Sequence, residues 1–117
     1  MLAEAVCLLN PIRWAEPFGM VMIESLARGT PVVVTPCGAA PEIVDHGITG
    51  FVRSTVAGLA IGVNRAPTLD RDACRAAAAA ERFSSERLVA EHIKCYEQAI
   101  AGTWAPTRTR ARATRVA

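Results

Sequence analysis

Along the first half of the chain apolar residues come in short unbroken runs, and beyond residue 55 they come at helical spacing. Residues 4–9, EAVCLL, form the first run, stopped by Asn10 and Pro11, which predicts a short buried strand. A proline-bounded loop follows. From Phe18 to Arg28 the pattern around MVMIESLA is helical, and Gly29 stands where a helix ends in a left-handed residue, with Thr30 and Pro31 as a stop. Val32, Val33 and Val34 make a second strand. A valine run without alternation argues for a strand covered on both faces, as in parallel sheets flanked by helices. A strand, helix, strand unit of this kind takes a right-handed crossover.

The segment TPCGAAPEIVDHGITGFV continues as loop, a helical turn over residues 41–44, turn residues Asp45, Gly47 and Gly50, and a third short strand at Phe51 and Val52. Beyond Thr55 the pattern predicts helices over 55–65, over 70–82 opening at Asp70, and over 84–100 opening at Ser84 or Ser85. In the last, Val89, Ile93, Tyr96 and Ile100 form one apolar stripe, which predicts a packed helix. The class is α/β: a parallel sheet flanked by helices, with a helical C-terminal part. Residues 1–101 form the body. Residues 102–117, GTWAPTRTRARATRVA, have no periodicity and read as a disordered basic tail.

Composition refines this picture without changing it. With 51% hydrophobic and 21% charged residues in a chain of 117, the body is globular, and at this size roughly two thirds of the unfolded surface can be buried. The net charge is +2, but Arg108, Arg110, Arg112 and Arg115 supply four positive charges, so the remainder lies near −2. The basic balance belongs to the tail. Cys7, Cys37, Cys74 and Cys95 form no CxxC pair and have no histidine at ligand spacing, so neither zinc nor redox chemistry is indicated and the thiols read as buried or idle in a reducing compartment. The opening MLAEAVCLLN has an acid and no basic residue, unlike a secretory signal, and no apolar run approaches the twenty or so residues of a membrane span. The expected location is the cytoplasm.

Two glutamates are the candidate chemistry. Glu16 stands just before the predicted helix and Glu24 inside it. A helix starting near Phe18 or Gly19 has unpaired N–H groups and the positive end of its dipole there, a cradle for phosphate, and Gly19 has no Cβ to block approach. In open parallel sheets ligands bind beyond the carboxyl ends of the strands, and the loop after the first strand leads to that edge. Two separated carboxylates flanking such a cradle suit a nucleotide sugar, with a ribose on one side of a diphosphate and a sugar on the other. Each also has a plainer reading: Glu16 as a helix-capping acid, Glu24 as a solvated helix face. Around Glu24, MVMI and SLA leave little polar face, which argues for a buried, partnered acid.

The stretch EPFGMVMIESLARGTPVVVTPCGAAPEIVDHGITGFV resembles the signature of retaining glycosyltransferases of the GT-B fold, in particular glycosyltransferase family four. The likeness lies in Glu, seven residues, Glu, then ARGTPVV, a G-x-x-PE-I-V segment and a G-x-x-G turn, ungapped from about Asn10 to Val52. RFSSERLVAEHIKCYEQAI resembles the family's closing helices. The resemblance implies a partial Rossmann-like sheet from the C-terminal, donor-binding domain. It implies that Glu16 is the catalytic glutamate facing the transferred sugar, that Phe18, Gly19 and Met20 contact sugar hydroxyls and diphosphate through the backbone, and that Glu24 holds the ribose hydroxyls. No metal and no cofactor are implied; positive charge and helix dipole stabilise the leaving diphosphate.

The family pattern also includes an acceptor-binding domain and an earlier part of the donor domain with an arginine and a lysine for the diphosphate, none of which this sequence resembles. Arg13 and Arg28 are the nearest basic residues and read as surface. The expectation is a fragment, a truncated product or one half of a split enzyme, whose partner brings the missing acceptor-binding domain. A nucleotide-sugar epimerase and a non-catalytic half that binds a nucleotide sugar or a partner domain are the alternatives; an exposed apolar edge on the strand at 4–9 would favour the partner-binding module. His46 in its turn reads as structural and His92 as packed or half exposed. The arginine tail can touch anionic lipid headgroups weakly, but with no aromatic interleaving it carries no specific nucleic-acid site.

Overall fold

The structure, a computed structural model, describes residues 1–105. It divides into two units, Met1–Ala78 and a second that begins at Ala79. Of the disordered tail expected over 102–117, residues 106–117 lie outside the described residues, whereas the N–H groups of Thr103 and Trp104 both donate to the Gln98 carbonyl.

The first unit is built on three parallel strands, β1 (Leu8–Asn10), β2 (Val32–Val34) and β3 (Gly50–Val52), in the order β1-β2-β3. Leu8 pairs with Val32, and Val32 with Gly50. The central strand is the valine run, and all three valines are fully buried. On one face Val33 packs with Phe51, Leu59 and Ala66. Val32 and Val34 point to the other face by the two-residue alternation of a strand and are equally closed off. The inference from an unalternated run to a doubly covered strand therefore holds.

Helix α1 (Met20–Ala27) joins β1 to β2; the short α2 (Ala40–Ile43) lies between β2 and β3; α3 (Val56–Arg65) and α4 (Arg71–Ala78) follow β3. Helix α1 buries Met22, Ser25 and Leu26 and packs against α4. Its C-terminus is closed twice over: the Gly29 N–H donates to the Leu26 carbonyl and the Thr30 N–H to the Ser25 carbonyl, with Gly29 at φ +73°. The Ser25 hydroxyl then donates to the Thr30 carbonyl at 2.9 Å. Helix α3 is capped by Thr55, whose hydroxyl accepts from the Gly58 N–H at 3.0 Å, and Asp70 accepts from the Asp72 N–H as α4 opens.

The first strand is shorter and later than the apolar run predicts. Residues Leu2–Glu4 form a 3₁₀ turn, and Asn10, expected as a stop, is the last strand residue. Tertiary hydrogen bonds fix the turn. The Thr30 hydroxyl donates to the Leu2 carbonyl, and the Arg71 guanidinium donates to the carbonyls of Ala3 and Ala5 and to the Thr30 hydroxyl. No local pattern reports a clamp 66 and 68 residues away along the chain.

In the second unit a 3₁₀ turn (Glu81–Phe83) precedes α5 (Ser85–Ile100), capped by Ser84, whose hydroxyl accepts from the Arg87 N–H at 3.1 Å. The 70–82 helix of the sequence pattern thus ends at Ala78. Helix α5 has no buried residue; its apolar stripe of Val89, Ile93, Tyr96 and Ile100 is exposed, contrary to the expectation of a packed helix. His92 is exposed too and bonds the Leu88 carbonyl one turn back. Among the described residues no helix is long and apolar enough to cross a membrane.

Candidate functional site

The loop from β1 to α1 is anchored before it reaches Glu16. Ile12 is buried, and its carbonyl accepts from the Thr35 hydroxyl at the end of β2. Four residues on, the Glu16 carbonyl accepts from the Ala39 N–H at 2.8 Å. Gly38 lies against the same peptide: a Cβ there would overlap the amide nitrogen and carbonyl oxygen of Glu16, and its φ of +58° is one that side chains with a Cβ rarely adopt. The turn after β2 is thereby the seat on which Glu16 rests. The sequence pattern reads this stretch only as loop.

The Glu16 side chain is half-buried and held at both oxygens. Oε1 accepts from the Gly19 N–H at 3.2 Å and Oε2 from the Trp14 indole Nε1 at 3.2 Å. A carboxylate offers about four lone-pair positions, so two remain for incoming hydroxyls. Gly19 is the residue that caps α1, at φ +77° and ψ +45°, and is buried. A side chain there would collide with Met22, in addition to the backbone penalty. The opening of α1 thus already accommodates an anionic group, in keeping with the helix dipole. The Gly19 amide is occupied by Glu16, so the amides of Met20 and Val21, which have no partner four residues back in the helix, are those open to another anion.

Phe18 and Met20 flank the capped glycine with exposed side chains. Glu24 is also exposed, on the helix face it shares with Met20, Val21 and Arg28, and its carboxylate has no hydrogen-bond partner among the described residues. The expectation of a buried, partnered acid was therefore wrong. The apolar residues around Glu24 in the sequence divide between the two sides of the helix: Met22 and Leu26 go to the core, while Met20 and Val21 stay outside with the acid. Arg13 and Arg28 are exposed, as expected of surface residues.

His46 has the structural role expected of it. Its Nδ1 accepts from the Val52 N–H at 3.1 Å and its ring meets Phe51 edge-on. Of the thiols, Cys74 is buried, Cys7 and Cys37 are partly buried and Cys95 is exposed, so burial is not common to all four. Burial pushes the thiols of Cys7 and Cys74 above their ordinary range, the latter in spite of the Arg71 charge nearby. Among the described residues no three His, Cys, Asp or Glu side chains gather as a metal site. Trp14 went unremarked in the sequence; its position two residues before Glu16 was the signal available.

A match of residues 1–66 to the model of the glycosyl transferases group 1 family covers more than half of the chain, and the chain belongs to that family. It is 33% identical over 88 residues to the N-acetyl-alpha-D-glucosaminyl L-malate synthase of Bacillus anthracis, covering 69% of this chain and 23% of that protein. It is 42% identical over 76 residues to the glycogen synthase of Mycobacterium tuberculosis strain H37Rv, covering 61% of this chain and 18% of the relative. A stretch of 36 residues is 51% identical to an uncharacterized glycosyltransferase of Methanocaldococcus jannaschii. The chain spans about a quarter or less of the length of these relatives. The parallel sheet with flanking helices is consistent with part of a Rossmann-like domain, as in glycosyltransferases of the GT-B superfamily.

Proposed function

We propose that the chain is the donor-side part of a retaining glycosyltransferase of family four, which moves a sugar from a nucleoside diphosphate to an acceptor. The reading rests on one observation: Glu16 is anchored at the opening of α1 with two lone-pair positions free, and Glu24 stands unpartnered on the outer face of the same helix. In this reading Glu16 is the catalytic carboxylate beside the reacting carbon and its hydroxyls. The backbone at Phe18, Gly19 and Met20 meets the sugar and the diphosphate, and Glu24 accepts from the ribose hydroxyls. The helix end stabilises charge developing on the leaving diphosphate. An acceptor-binding domain, in a longer chain or a partner, completes the enzyme. The proposed setting is the cytoplasm, and the basic tail is proposed to make at most a weak contact with an anionic membrane surface.

The test is a titration of uridine, adenosine and guanosine diphosphates into the ¹⁵N-labelled chain. The amides of Phe18, Gly19 and Met20 are expected to shift, and Glu24→Ala to weaken the response. Silence with all three nucleotides would remove nucleotide binding by this chain. Transfer is expected only when an acceptor domain is supplied, so turnover by the chain alone would overturn the donor-half reading. A second reading has one specific observation in its favour: β1 is an edge strand with Leu9 exposed, which suits docking of further sheet from a partner.

A further inference from the structure

We propose that Trp14 is the positioning residue of Glu16: its indole N–H and the Gly19 amide, one on each oxygen, hold the carboxylate in a single orientation toward the donor sugar. The inference deepens the glycosyltransferase reading and rests on it for the identity of the ligand. Its geometric part stands alone. Glu16 has its backbone fixed by Ala39 and Gly38, but a glutamate side chain still has three rotatable bonds beyond a fixed backbone. The Gly19 N–H alone pins one oxygen and leaves the carboxylate free to turn about that contact. The second donor removes this freedom, and among the described residues that donor is Trp14.

The indole Nε1–H is a donor and never an acceptor, so it faces the carboxylate in one sense only. Hydrogen bonds to a charged acceptor are the stronger kind and tolerate partial exposure. Trp14 itself is 63% exposed, so its ring contributes little to a core and its side chain is free to serve the site. With one donor on each oxygen, hydroxyls can reach Glu16 only through the two remaining lone-pair positions. That restriction is what a catalytic carboxylate needs to meet a sugar in one pose.

The experiment uses the ¹⁵N-labelled 117-residue chain, whose two tryptophans, Trp14 and Trp104, give two indole signals. Glu16→Gln is expected to move the Trp14 indole signal and leave that of Trp104 in place. Trp14→Phe, which keeps a ring and deletes the donor, is expected to shift the Gly19 amide and speed its hydrogen exchange about tenfold, with the melting temperature unchanged. Trp14→His, which restores a ring N–H, should recover part of that protection. An unmoved indole in Glu16→Gln, or an unmoved Gly19 amide in Trp14→Phe, overturns the positioning role whatever the ligand. Binding is then measured with uridine diphosphate and with UDP-glucose. Trp14→Phe should weaken the sugar nucleotide about tenfold and leave the diphosphate unchanged; equal loss for both would overturn the orientation toward the sugar. If neither binds the unaltered chain while the two NMR shifts appear, uridine nucleotide binding by this chain alone is removed and the clamp survives it.

Discussion

A β-carbon on Gly38 would overlap the backbone of Glu16, at a φ that already disfavours one, so Gly38→Ala must displace either the turn or the loop. The expected cost is about 1–3 kcal/mol in denaturant unfolding. The loss should come with a shifted Trp14 indole signal, because the displaced peptide carries Glu16 away from its donor. Local pattern could not report this: the residue touched by Gly38 is 22 positions earlier, and only the fold brings the two together. Glu16 itself was legible because a helix opening announces itself in the sequence. Thiol chemistry follows burial with equal directness. Burial raises the Cys7 and Cys74 pKa above the ordinary 9.0, which leaves both thiols neutral near pH 7.5, so Cys95 should be alkylated first in the native chain, followed by mass spectrometry of the digested protein. A raised folded value gives stability that is intact below the unfolded pKa and lost as pH rises past it. The stability of the chain should therefore fall above about pH 9 and fall less in Cys74→Ala at equal starting stability, measured by denaturant unfolding from pH 7 to 10.

Helix α1 turns one face to the core and leaves the other exposed. Met22 and Leu26 are fully buried, and Leu26→Ala is expected to cost about 2–5 kcal/mol in unfolding free energy through lost contacts and the cavity left behind. Glu24→Ala on the other face should alter stability by no more than about 0.5 kcal/mol, while weakening nucleotide binding. A large stability loss on removing Glu24 would show the acid to be a structural partner instead. The extent of α1 was readable because its end chemistry is local: Gly29, Thr30 and Pro31 close it within six residues of Ser25. The valine strand was readable for a similar reason, since lack of alternation is a direct record of burial on both faces. Where sequence reasoning failed, distant groups decided. The 3₁₀ turn at Leu2–Glu4 is held by Thr30 and Arg71, and the sidedness of α1 at Glu24 depends on where α4 packs, which no window of α1 contains.

At the scale of the molecule, burial is concentrated in one place. The parallel sheet and the helices of Met1–Ala78 bury every residue of β2, whereas the sixteen-residue α5 buries none. A helix of that length without a covered apolar face is close to the limit at which helices persist in water, because nucleation is costly and propagation gains little per residue. Its local support is the Ser84 cap and the 2.9 Å pair of Glu91 and Lys94, in which the lysine lowers the carboxyl pKa. An exposed pair of this kind adds little, and salt screens it. Hydrogen exchange should therefore resolve the chain into two regimes. The amides of Val33 and Val34 should exchange only on global unfolding, and those of α5 orders of magnitude faster. Val89→Glu and Ile93→Glu, on the exposed stripe, should leave the protection of β2 unchanged, while Val33→Ala should lower it along the whole sheet. If the two glutamate substitutions collapse protection in β2, the stripe is covered in solution and α5 belongs to the core, contrary to its exposure here.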